Sequence, residues 1–172
     1  ANAKQAIGLD ITKNHVSMLL SNLTGEIVNY VRIYKPYALG DDYCREVNEE
    51  LEHFLEESRA VRDKILGIGI SFPGIIDLEK EMIADSHILG VEAAPFESIS
   101  RFFSYPCYFL NDANAGAYAE GIKSEDRNRF FYLSLSNTVG GAVYGNGGLE
   151  QGRNFRCGEV GHMTIVPDGK AC

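Results

Sequence analysis

Two short stretches hold most of the residues able to recognise a polar ligand: Asn111-Asp112-Ala113-Asn114-Ala115 and Gly158-Glu159-Val160-Gly161-His162. Carboxylate and amide oxygens accept hydrogen bonds from adjacent hydroxyls, an asparagine amide also donates, and imidazole can do either. That set suits a polyhydroxylated molecule. Once buried, it rejects analogues lacking a hydroxyl, because a polar group would stay unpaired. Asp112 also has a plainer reading as a helix N-cap, since an alanine-rich stretch follows it. The two readings are compatible, because the positive end of a helix dipole keeps a carboxylate ionised. His162, taken alone, reads as a structural histidine. The opening segment Gly8-Leu9-Asp10-Ile11-Thr12-Lys13-Asn14-His15 offers a carboxylate but lacks the glycines that let backbone N–H groups close on a phosphate.

These residues must be held by a framework, and alternation supplies one. Ile7, Leu9 and Ile11, then Val16, Met18 and Leu20, predict two strands joined at Thr12 to His15, and residues 26–35 predict a third. Asp41 or Asp42 is expected to cap a helix carrying Tyr43, Val47, Leu51, Phe54 and Leu55 on its buried side, with the acids as a solvated face. Leu66 to Ile70 reads as a strand approached closely by neighbouring backbone, ended by Ser71-Phe72-Pro73-Gly74. Residues 75–86 predict a hairpin across Glu79-Lys80, and Pro95 is expected in the first turn of a helix bearing Phe96, Ile99 and Phe103. Cys107 to Leu110 forms a short strand feeding Asn111-Asp112 and a helix over 113–120. A second strand, turn, strand pattern over 130–148 loosely repeats the first, which predicts two related lobes divided as 1–121 and 122–172.

With 172 residues, 45% of them hydrophobic and 23% charged, the chain has the composition of an ordinary globular protein. Its net charge of -8 opposes any contact with a nucleic-acid backbone. No apolar run is long enough to span a membrane and the first residues lack a signal-peptide pattern, so a cytoplasmic protein is expected, with Cys44, Cys107, Cys157 and Cys172 reduced. Neither a Gly-x-x-x-x-Gly-Lys loop, nor a Gly-x-Gly-x-x-Gly turn, nor a Ser-His-Asp order is present, which removes support for P-loop, dinucleotide-binding and hydrolase readings.

Gly8-Leu9-Asp10, Ser71-Phe72-Pro73-Gly74-Ile75-Ile76-Asp77, Asn111-Asp112-Ala113-Asn114-Ala115 and Gly158-Glu159-Val160-Gly161-His162, with Cys172 ten positions later, follow one another in the order seen in the ROK family of sugar kinases and repressors, which this chain resembles from about Ala6 to Cys172. The resemblance implies an α/β fold of the actin-like ATPase, ribonuclease H-like type, with the N-terminal lobe and the opening of the second. It implies that Gly74, Asn111, Asp112, Glu159 and His162 hold a sugar, and that Asp112 would be the catalytic base if the protein were a kinase. His162 and Cys172 would be two ligands of a zinc site that takes four, so zinc is expected of the full-length protein and the site is incomplete here.

Kinases of the family carry Asp-x-Gly-Gly-Thr-Lys where this chain has Asp10-Ile11-Thr12-Lys13-Asn14-His15, so Asp10 belongs to a degenerate phosphate loop. Thr12 is β-branched and resists positive φ at a cost of about 1 kcal/mol or more. A second loop, Gly-Thr-Gly-x-Gly-Gly-Gly in the kinases, reads Ser136-Asn137-Thr138-Val139-Gly140-Gly141-Ala142. With both loops depleted of glycine, ATP and Mg are not expected as ligands. The pattern is similar to the repressor branch: a sugar-responsive regulator that would reach DNA only through a helix-turn-helix absent from this sequence and would form a homo-oligomer. The alternative is an ATP-dependent hexose or N-acetylhexosamine kinase.

Overall fold

The computed structural model describes residues 4–123, 129–135 and 138–170. The alternating apolar residues of the first segment form β1 (Gln5–Ile11), β2 (His15–Asn22) and β3 (Ile27–Tyr34), an antiparallel meander. The turn between β2 and β3 is held by Asn22, whose Oδ1 accepts from the N–H groups of Thr24 and Glu26, each at 3.0 Å. A crossover through α1 (Asp41–Glu57) brings β4 (Ile65–Phe72) parallel to β1, and β8 (Cys107–Asn111) lies parallel to β4. The sheet order is β3-β2-β1-β4-β8. Ile7, Leu9, Ile11, Val16, Met18, Leu20, Ile68, Ile70 and Phe72 are buried in one core with Tyr43, Val47, Leu51, Phe54 and Leu55 of α1. Each such side chain contributes about 2 kcal/mol on burial.

Between β4 and β8 the chain builds a small antiparallel sheet, β5 (Ile75–Asp77), β6 (Met82–Ser86) and β7 (Val91–Pro95), followed by the one-turn helix α2 (Glu97–Ser100). Two expectations need correction here. Pro95 closes β7 and precedes the helix, because its own residue still pairs in register with Met82. At α1 the N-cap is Gly40 with no side-chain cap bond, and Asp41 and Asp42 lie in the first turn, where their charge favours the helix dipole. Both acids are drawn off by arginines: Arg101 Nη2 reaches Asp41 at 2.6 Å and Arg45 Nη1 reaches Asp42 at 2.5 Å.

The chain separates into two compact units, Ala1–Asp112 and Ala113–Cys172. The second contains α3 (Asp112–Lys123) beyond its first residue and an antiparallel sheet of order β11-β10-β9, formed by β9 (Arg129–Leu135), β10 (Val139–Gly145) and β11 (Gly148–Glu150). A boundary after Gly121 assigns α3 to the first lobe, whereas its packing groups it with the strands that follow. A Cβ on Gly116 would stand 2.7 Å from the Tyr132 ring, and one on Gly121 would stand 2.3 Å from the Tyr144 ring. Two missing side chains thus let two tyrosine rings approach the helix backbone closely.

Candidate functional site

In the first unit the site begins where β4 runs out. The strand ends at Phe72, which is fully buried and edge-on to Tyr37 at 5.9 Å, and Pro73-Gly74 then turns the chain into β5. Burial around Tyr37 pushes its phenol up to about 12, so it stays neutral at ordinary pH. Gly74 has φ of +133°, and a Cβ there would fall 2.3 Å from the Asp85 carbonyl oxygen and 2.9 Å from the Ser86 Cβ. No other residue fits. Parallel pairing sets Asn111, the last residue of β8, beside Phe72, and its Nδ2 donates to the Gly74 carbonyl at 2.9 Å. The structure therefore brings together two of the predicted sugar-facing residues, Gly74 and Asn111.

Asp112 follows directly as the first residue of α3, exposed and in the acidic first turn. A carboxylate there is favoured by the helix N-terminus, so the expected cap and the expected charged group coincide within one residue. Asp77, which ends β5, serves to close the hairpin that follows it. Its Oδ1 accepts from the N–H groups of Lys80 at 3.0 Å and Glu79 at 3.1 Å, and Lys80 Nζ lies 3.3 Å from Oδ2. The Lys80 backbone donor, with the other donors, holds the Asp77 carboxyl below its ordinary value.

Asp10 has a partner that sequence reasoning missed. Parallel register sets it opposite Ser71, whose hydroxyl donates to Asp10 Oδ1 at 2.7 Å. Nothing local announces such a bond, since the two residues are distant in sequence. The adjoining turn is closed on itself. Thr12 N–H donates to the His15 carbonyl at 2.9 Å, the Thr12 hydroxyl donates to the same carbonyl at 2.9 Å, and His15 N–H donates to Thr12 Oγ1 at 3.1 Å. The carbonyls of Asn14 and Lys13 accept from Lys35 N–H at 3.0 Å and Tyr37 N–H at 2.9 Å. The positive φ values found among the non-glycine residues do not include Thr12.

In the second unit, Gly158 and Gly161 lie flush on β10. A Cβ on Gly158 would meet the Gly141 oxygen at 2.5 Å, and one on Gly161 would meet the Val139 oxygen at 2.2 Å. This close approach explains the glycine spacing and fixes a single 3₁₀ turn, Val160–His162, that carries the polar pair. Glu159 and His162 stand beside each other, Oε2 to Nε2 3.8 Å, with the imidazole 87% exposed. Gly74, Asn111 and Asp112 belong to the first unit, and Glu159 and His162 to the second.

Among the described residues no group of three His, Cys, Asp or Glu side chains could hold a metal ion. Cys172 lies outside the described residues, as do Ser136 and Asn137 of the second loop. His162 with Cys172 supplies two donors where a closed zinc site takes four, so the residues present do not fit that metal by themselves. Of the remaining thiols, Cys44 is buried and Cys107 half-buried, and burial raises the Cys107 thiol to about 11. Burial also raises the Cys44 thiol, so both serve as packing groups.

The antiparallel meander, the crossover through α1 and the parallel strands β4 and β8 make an α/β protein of the actin-like type. Residues 6–172 match the ROK family, and the chain belongs to it. It is 29% identical over 99% of its length to a xylose repressor of Bacillus spizizenii, covering 45% of that protein. Its structure is similar, with a TM-score of 0.84 and 25% identity, to a ROK family transcriptional regulator described as a homolog of the E. coli MLC protein, covering 99% of this chain and 44% of that one. It also matches the ROK hexokinase of Thermus thermophilus, with a TM-score of 0.78 and 26% identity over 98% of this chain and 56% of that one. The chain spans less than half the length of the curated xylose repressors it matches. None of its helices is long and apolar enough to cross a membrane, among the described residues.

Proposed function

We propose that this chain is the effector-binding part of a ROK transcriptional regulator, taking up a hexose or related sugar without phosphorylating it. The observation that carries the reading is the turn from Thr12 to His15, whose two end N–H groups are spent on the His15 carbonyl and the Thr12 hydroxyl, beside an Asp10 carboxylate engaged by Ser71. A turn so closed offers a triphosphate little, while the Gly74 to Asn111 bond keeps the sugar side built. Asn111 and Asp112 in the first unit, and Glu159 and His162 in the second, are the proposed sugar-binding groups, each taken by itself. Relatives named xylose repressors add a pentose to the candidate ligands. DNA contact would come through a helix-turn-helix outside this sequence, and the full-length protein would be a cytoplasmic homo-oligomer in which further ligands complete a zinc site with His162 and Cys172.

A second reading, a sugar kinase, is favoured by one observation: Asp112 is retained at the dipole-favoured start of α3, where the family's catalytic base would stand. Calorimetric titration of the full-length protein with D-xylose, D-glucose and N-acetylglucosamine, with and without ATP and Mg, separates the two. The sensor reading expects sugar binding unaffected by ATP and no phosphorylated product. Turnover of ATP into sugar phosphate overturns it.

A further inference from the structure

We infer that β3 carries a built-in guard against self-association: Asn29 occupies the N–H at the middle of the strand's free edge, and once that N–H is released the edge pairs antiparallel with β3 of a second copy. Among the described residues β3 is an outer strand of the five-stranded sheet, with Ile27, Val28, Tyr30 and Tyr34 exposed along it. Its neighbour β2 sets Leu20, Met18 and Val16 opposite Asn29, Val31 and Ile33. Lys35, in step with those three, donates its N–H inward to the Asn14 carbonyl at 3.0 Å, whereas Tyr30 N–H donates to Asn29 Oδ1 at 2.9 Å. Antiparallel ladders alternate in this way, so the N–H groups of Tyr30, Arg32 and Tyr34 point away from β2. The first of them is taken by Asn29.

The amide is fixed in this role from its other end. Asn29 Nδ2 donates to Ser58 Oγ at 2.9 Å, and the Ser58 hydroxyl donates its own proton to the Phe54 carbonyl at 2.6 Å, at the C-terminus of α1. Ser58 can therefore only accept from the amide, which leaves the amide oxygen for Tyr30. Asparagine is a poor strand residue, while Val31 and Ile33 of the same inward row are β-branched and packed on the core. A third such residue would suit the strand better and would leave the edge open. An exposed apolar edge is a template for another strand. The ladder also skips Val28, and Pro36 stands just beyond β3, so both ends of the edge are blunted and Asn29 covers the middle. A second copy fits that edge. A twofold axis at Val31 would set Tyr30 of each copy opposite Arg32 of the other and Val28 opposite Tyr34, cation on ring and apolar on apolar, with no like charges opposed.

Sedimentation velocity of the full-length protein and its variants over a range of concentrations is the test. Asn29→Val should strengthen association beyond the parent's own oligomeric state by about tenfold or more, from one added backbone bond on each side of the axis. Asn29→Val combined with Tyr30→Pro lacks the released N–H and should return to the parent's behaviour, since an edge strand tolerates proline where the N–H faces outward. Asn29→Asp keeps an acceptor for the Tyr30 N–H and should also match the parent. Asn29→Ala carries the comparison if the valine variant does not fold. Unchanged association in the valine or alanine variant overturns the inference, and so does an aspartate variant that associates as strongly as they do. Association that persists with proline at position 30 overturns it too, because the added contact would then lie away from the β3 edge.

Discussion

β1 and β4 run side by side in one parallel pair, and the turns that follow them have opposite chemistry. After β4 the chain keeps glycine: Gly74, at φ of +133°, lies so close to Asp85 and Ser86 that no side chain fits, and its carbonyl is engaged by Asn111. After β1 the chain has given glycine up: Thr12 supplies its own hydroxyl to His15 and the turn closes without positive φ at that residue. The glycine turn is held by a side chain from a distant strand, and the threonine turn is held by its own side chain. Within one sheet, the first arrangement depends on pairing between distant strands and the second on four neighbouring residues.

The largest effect expected from breaking this comparison is at Gly74. Gly74→Ala combines a strained φ with a 2.3 Å clash against the Asp85 carbonyl, and should lower stability by about 3 kcal/mol or more, read by urea unfolding. A loss below about 1 kcal/mol would mean that the turn relaxes easily and that its glycine has no steric necessity. Asn111→Asp comes next. It replaces a donor to the Gly74 carbonyl with an acceptor, so stability should fall by about 2 kcal/mol and sugar affinity by at least about tenfold. If titration shows parent affinity in this variant, Asn111 does not contact the sugar.

The contrast between the turns also marks what the sequence could reveal. Period-two alternation exposes β1 and β2, because Ile7, Leu9 and Ile11 face the core opposite Leu20, Met18 and Val16. Helical spacing exposes the buried side of α1 for the same local reason. β7 escapes such reading: it is a five-residue strand with Glu92 exposed and a terminal proline, and only its register with β6 defines it. The motif residues Gly74 and Asn111 are legible singly, but the bond between them spans 37 positions and depends on parallel pairing of β4 with β8. The Ser71 to Asp10 bond and the unpaired Ser86 hydroxyl are invisible for the same reason, since register and burial are tertiary properties. The Asp41 and Asp42 cap failed by one or two positions: the helix begins after Gly40, which leaves both acids inside the first turn, where Arg101 and Arg45 pair with them.

Two smaller changes sharpen the comparison at each turn. Thr12→Val keeps the shape of the hairpin residue but removes the hydroxyl that serves His15, so stability should fall by about 1 kcal/mol with sugar affinity unchanged. A drop in sugar affinity would show that the two turns communicate. The smallest effect concerns Asp77, which closes the hairpin after the Gly74 turn. Its carboxyl titrates below the ordinary value, chiefly because the Lys80 N–H donates to it, so the folded chain binds that proton less readily than the unfolded chain does. The resulting stabilisation is fully present above the unfolded carboxyl value of about 4 and drains away as pH falls through the depressed folded one. Asp77→Asn keeps an oxygen acceptor for the Glu79 and Lys80 N–H groups and removes only the charge. The urea midpoints of parent and variant should therefore converge as pH is lowered from about 5 to about 3. A gap that stays constant across that window would show that the hairpin depends on the geometry of the acceptor, with the carboxylate charge contributing nothing.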